Sequence, residues 1–155
     1  MAERKHLIEL RGTPPGYAED YAAWLQHQVA LLQAGRYAEL DKANLIDEVE
    51  SLGRSDFKGF VSSIEVVLLH MLKWGYQPER RTRSWQSSIV EHRRRIEQEL
   101  VDSPSYKSRV EDAARRAYAV AVARAAAETE LPLPTFPDAC PYDWSAIMTR
   151  EQPLA

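Results

Sequence analysis

The sequence predicts an all-α fold, a bundle of about five helices with a proline-rich, extended C-terminal strap. Three observations carry that prediction. Apolar residues recur at three- and four-residue spacing through successive segments of helical length. No stretch of strand length alternates with period two, and no internal repeat or low-complexity segment interrupts the pattern. Pro132, Pro134, Pro137 and Pro141 fall within ten residues, where they forbid both helix and interior strand.

The elements follow in order. Residues 1–16 lack helical periodicity and end in Gly12, Pro14, Pro15 and Gly16, so they read as an N-terminal arm, with a single helical domain over residues 17–153. Tyr17, Tyr21, Trp24, Gln28, Leu31 and Leu32 form the stripe of a first helix that stops at Gly35. Asp41 caps a second helix carrying Leu45, Ile46, Val49 and Leu52, and Gly53 with Ser55 predicts a bend before the next run. Phe57, Phe60, Val61, Ile64, Val67, Leu68, Met71 and Leu72 make the strongest stripe in the chain. Val66 and Leu69 fall on the back of that helix, which places it at the centre. Gly75 and Pro78 end it, and Gln77 to Arg83 is a charged loop.

Ser84 opens a helix with Trp85, Ile89, Ile96 and Leu100 on its apolar side, and the gap between Ile89 and Ile96 leaves His92 and Arg93 where core residues belong. Ser103 and Pro104 read as an N-cap and first helical position for a long alanine-rich helix reaching about Glu130. Its Ala113, Ala114, Ala117, Ala121 and Ala125 permit close approach of a neighbour, while Tyr118 supplies volume. The strap then carries Phe136, Tyr142 and Trp144, with a short helix after Asp143.

Composition bounds the function. The 155 residues are 45% hydrophobic and 28% charged, the profile of one globular domain. Twenty Lys and Arg against 23 Asp and Glu leave a net charge of −3, which argues against a dedicated nucleic-acid coat. Cys140 is the only cysteine, so no internal disulfide forms, and no CxxC or Cys/His cluster offers a structural zinc site. Without GxGxxG or GxxxxGK[ST] there is no cradle for nucleotide phosphates, and no cofactor or metal is expected. The charged N-terminus and the lack of a long apolar run predict a soluble cytoplasmic protein that does not enter membranes.

Three blocks are familiar: ANLIDEVESLGRSD (Ala43 to Asp56), LLHMLKWGYQPERRTRSW (Leu68 to Trp85) and AYAVAVARAAAETELPLPTFPDACPY (Ala117 to Tyr142). With Tyr21, Trp24, the IVEHRRRIEQEL segment and the SPS turn, they resemble the small bacterial proteins of domain of unknown function family 29, over nearly all of residues 17–153. The resemblance implies an all-helical bacterial domain and brings no assigned activity. The chain departs from it at His92, where such proteins usually carry glutamine, and at Asp47, where they usually carry glutamate.

Two constellations stand out. Drawn as wheels, the helices place Glu48, His70, His92, Arg93 and Glu128 inside or beside apolar stripes, with Arg124 one turn before Glu128. If these faces converge they form either a buried salt-bridge network, in which Arg93 meets Glu48 or Glu128, or an acid/base pocket. None of the five stands in the Glu-x-x-His spacing of helical di-metal centres, so the salt-bridge network is the preferred reading. The second constellation is basic and aromatic. Seven Lys and Arg against two acids lie between Lys73 and Arg95, interleaved with Trp74, Tyr76 and Trp85.

From these we expect a non-enzymatic interaction protein with no catalytic residues. Its edge of Lys73, Trp74, Tyr76, Arg80, Arg81, Arg83 and Arg94 would hold an acidic partner, a protein in the first place and RNA or single-stranded DNA as the lesser alternative. The alternative is an enzyme, or a polyanion-binding factor, built on the polar pocket. The first helix packs either internally or across a homo-oligomer, and the sequence leaves both open.

Overall fold

A computed structural model describes residues 15–154, so nearly all of the expected arm at 1–16 lies outside the described residues. The fold is all-α, with five α-helices and no strand among the described residues: α1 (Tyr21–Gln33), α2 (Lys42–Tyr76), α3 (Arg83–Asp102), α4 (Val110–Thr129) and α5 (Trp144–Thr149). Two compact units divide the chain, one ending at Arg54 and the other beginning at Ser55.

In the first unit, α1 starts at Tyr21 because the Asp20 carboxylate accepts the Ala23 N–H at 3.0 Å, while the stretch before it closes a turn from the Glu19 N–H to the Gly16 carbonyl at 3.0 Å. Gly35, with φ +70°, takes the left-handed conformation that lets the chain leave the helix. Asp41 heads α2 as expected, accepting the Asn44 N–H at 3.3 Å, and also accepts the Trp24 indole N–H at 3.1 Å. The Gln28 amide oxygen accepts the Asp41 N–H at 2.9 Å, which explains why a glutamine is buried in the α1 stripe.

Gly53 does not end the helix, and α2 runs as one helix of 35 residues. A glycine inside a helix costs about 1 kcal/mol, too little to break a run with favourable turns on both sides.

The core of the second unit is built on α2, where Phe57, Phe60, Ile64, Val67, Leu68, Leu69, Met71 and Leu72 are buried. α3 contributes Ile89 and Ile96, while α4 brings Ala113, Ala117, Ala121 and Ala125 with Tyr118. The small side chains of α4 bring its backbone close to its neighbours, so most of the volume comes from α2. Thr82, rather than Ser84, caps α3 by accepting the Trp85 N–H at 3.3 Å. Ser103 and Pro104 open a 3₁₀ turn over Pro104–Arg109, and α4 proper begins at Val110. Tyr106 in that turn packs its ring 5.2 Å from Phe57 and 5.1 Å from Phe60, which anchors the tighter winding.

After α4 the chain turns at Glu130, with φ 60°, and the segment beyond adds Phe136 and Ile147 to the core. The Tyr118 hydroxyl donates to the Pro137 carbonyl at 2.5 Å, and Asp143 caps α5 by accepting the Ala146 N–H at 2.7 Å.

Candidate anion-binding cleft

The inward polar residues separate into different partnerships. Glu48 belongs to the first unit, where it accepts the Tyr17 hydroxyl at 2.5 Å and the Tyr21 hydroxyl at 2.9 Å. Those two bonds hold its carboxyl below the ordinary glutamate value and raise the two phenols. In the second unit Glu128 on α4 accepts from Lys73 on α2 at 2.7 Å, and Arg124 bridges Glu65 at 2.7 Å and Glu128 at 3.4 Å. Burial pulls the Glu128 carboxyl up, but the bonds from Lys73 and Arg124 outweigh it and leave it below the usual value.

His70 stands beside this network, and its buried Nδ1 has no hydrogen-bond partner among the described residues. Desolvation, helped by Lys73, His92 and Arg124, lowers its pKa to about 4, so the ring is neutral at physiological pH. His92 Nδ1 lies 2.8 Å from the Ser88 carbonyl one turn earlier on α3. Among the described residues no group of three or more His, Cys, Asp or Glu is placed to hold a metal ion.

Arg93 corrects the expectation of a carboxylate partner. Its Nε donates to the Ile147 carbonyl at 2.7 Å, and one Nη donates to the carbonyls of Arg150 at 3.0 Å and Ala146 at 3.4 Å. The Ala146 carbonyl already accepts the Arg150 N–H at 3.0 Å, so the fork chiefly serves the Ile147 and Arg150 carbonyls at and just beyond the end of α5, as it would serve a carboxylate. Burial lowers the Arg93 pKa, opposed by the nearby Glu97 charge, and the hydrogen bonds of its guanidinium to oxygen go to backbone carbonyls.

The basic edge is likewise resolved residue by residue. Lys73 turns inward, paired with Glu128 and set 4.6 Å above the Trp85 ring centroid, so it is not presented to a partner. Trp74 is only 7% exposed and reaches the surface in the wall of a cleft that Arg81 also lines, and the half-buried Tyr76 packs 4.7 Å from Phe136. Arg80, Arg81, Arg83 and Arg94 are exposed, but Arg94 bonds Glu91 at 3.3 Å.

Arg81 and a residue the sequence reading missed, Arg150, line one cleft of about 230 Å³ together with Met71, Gly75, Tyr142 and Gln152. Each guanidinium is held over a ring. Arg81 lies 5.3 Å from the Trp74 centroid and donates Nε to the Trp74 carbonyl at 2.9 Å, while Arg150 lies 5.5 Å from the Tyr142 centroid. Neither has a carboxylate in ion-pair range among the described residues. Glu151 also lines the cleft, so its local charge is one positive in excess.

The floor is fixed from the other side of the chain. Gln152 is buried and its carbonyl accepts the Gln86 side-chain N–H at 3.0 Å. A second cleft of about 230 Å³ shares Glu151, Gln152 and Pro153 and has Arg93 in its wall, so three guanidiniums flank the segment after α5. Only Arg150's place just beyond a short helix, where a cation complements the helix dipole, hinted at its role from sequence.

The molecule is therefore an all-helical protein whose second unit carries an arginine-lined cleft, and no helix among the described residues is long and apolar enough to cross a membrane. The family described as Domain of unknown function DUF29 matches residues 17–152, and the chain belongs to that family. No curated protein and no solved structure matches it.

Proposed function

We propose that this chain is a non-enzymatic interaction protein of the bacterial cytoplasm that captures an acidic protein segment in the Arg81–Arg150 cleft. The observation that supports this reading is the pairing of two ring-backed guanidiniums, without carboxylate partners among the described residues, in the wall of one cleft. A guanidinium held in place offers a planar fork to a carboxylate with little entropy left to lose. Arg80 and Arg83 stand exposed on the same loop and at the start of α3, where they extend the positive field.

A protein is favoured over RNA or single-stranded DNA because Tyr76 packs on Phe136, and the small exposed part of Trp74 in the cleft wall lies beside the Arg81 guanidinium, which leaves little open ring for a base. The enzymatic alternative has less support, since Glu48 is engaged by Tyr17 and Tyr21, Arg93 by carbonyls, and Glu128 by Lys73.

A fluorescein-labelled glutamate-rich peptide titrated with the full chain tests the reading. Arg81→Gln and Arg150→Gln should each weaken binding about tenfold, the worth of roughly one charge-assisted bond, and binding should weaken further with added salt. Native affinity in either variant, or indifference to salt, contradicts the proposal. Tighter binding of a labelled single-stranded oligonucleotide moves the assignment to the polyanion alternative.

A further inference from the structure

We infer that the first unit is a self-association surface, through which two copies of the chain pair by α1 and the opening turns of α2 into a four-helix arrangement. The two helix segments run antiparallel, tied where Gln28 meets Asp41 and Tyr21 meets Glu48. On a helical wheel α1 has an apolar arc about 160° wide. One side of it, with Trp24 and Leu31, is buried, whereas the other, with Tyr21, Leu25, Val29 and Leu32, is 39% to 47% exposed. The beginning of α2 continues the surface, because Ile46, Val49 and Leu52 are 58% to 67% exposed. An outward helix face is ordinarily polar, and contiguous apolar faces of this kind mark contact surfaces.

The occupant follows from charge and size. Across its 13 residues α1 contains no Asp, Glu, Lys or Arg. Such a helix gives an acidic or basic partner nothing to recognise, yet it can meet its own copy about a two-fold axis without like-charge repulsion. Antiparallel α1 helices would also oppose their dipoles favourably. A helix of this length spans about 20 Å and two side by side are about 20 Å wide, so the face covers about 400 Å² in projection, to which the relief of its protruding side chains adds, against roughly 800 Å² per partner in a standard interface. Pairing two such helix pairs builds the common four-helix packing.

Analytical ultracentrifugation of the full chain tests this. The chain should sediment at twice its 17.7 kDa mass. Val29→Glu and Val49→Glu, whose folding is checked by circular dichroism, should halve that mass. Val101→Glu, on an exposed apolar position of α3, should leave it unchanged. Loss of the dimer in either of the first two variants, with retention in the third, supports the inference. A native chain at monomer mass overturns it, because residues 1–14 or a foreign protein would then be the cover. A dimer that survives both substitutions, or that dissolves equally in Val101→Glu, overturns it as well.

Discussion

Arg93 lies in the apolar stripe of α3, and its stabilising role comes from carbonyl oxygens at the end of a helix far away in sequence. Arg93→Ala should lower stability by about 2 kcal/mol, because charged hydrogen bonds are lost and the part-buried Ile147 carbonyl loses its side-chain donor. Urea unfolding measures it. Arg93 and Glu128 share no partner, so the loss should add to that of Glu128→Gln, whereas Lys73→Met and Glu128→Gln should be strongly non-additive. A large coupling between Arg93 and Glu128 would contradict the assignment. His70 adds a pH dependence. Its folded pKa of about 4 lies below the ordinary histidine value of 6.5, so the unfolded chain binds the extra proton first. The stabilisation it brings is complete above pH 6.5 and is lost as pH falls toward 4. Because the ring is partly solvated, we expect the loss to be about 1–2 kcal/mol. Melting curves of native chain and His70→Gln should diverge over that interval, and parallel curves would refute the cause.

At the scale of elements, the apolar stripe of α2, the alanine face of α4 and the Asp143 cap of α5 were readable in the sequence, since each depends on residues within a few turns of one another. The continuity of α2 was not. Gly53 weakens the helix locally, but local cost alone does not say whether neighbouring turns carry it through. No atom would crowd a side chain there, so Gly53→Ala should raise the melting temperature, by the equivalent of about 0.5–1 kcal/mol. A decrease would mean that the helix is bent in solution. The Pro104 start was also misplaced, because proline suits a 3₁₀ turn as well as an α-helix, and only Tyr106 packing on Phe57 and Phe60 decides between them. α5, just one and a half turns long, depends on Arg93 for its end. Hydrogen exchange over residues 144–149 should accelerate selectively in Arg93→Ala, while uniform acceleration would place its role elsewhere.

For the molecule as a whole, the inward placement of Lys73 and the meeting of Arg81 with Arg150 depend on tertiary packing, which neither residue's neighbours encode. A wheel marks which face a side chain takes, but not whether the group opposite is a carboxylate, a carbonyl or water. The basic run from Lys73 to Arg95 was visible as composition, yet it divides into a buried pair at Lys73, a helix cap at Arg93, an ion pair at Arg94 and a cleft wall at Arg81. What is left for a partner is smaller and better defined than the run suggested. The most direct test observes the arginine Nε–Hε resonances while a glutamate-rich peptide is added. The Arg81 and Arg150 signals should shift saturably and together, with Arg115, which is paired with Asp112 on α4, unmoved. Equal, non-saturating shifts of all exposed arginines would show a diffuse charged surface instead of a binding cleft.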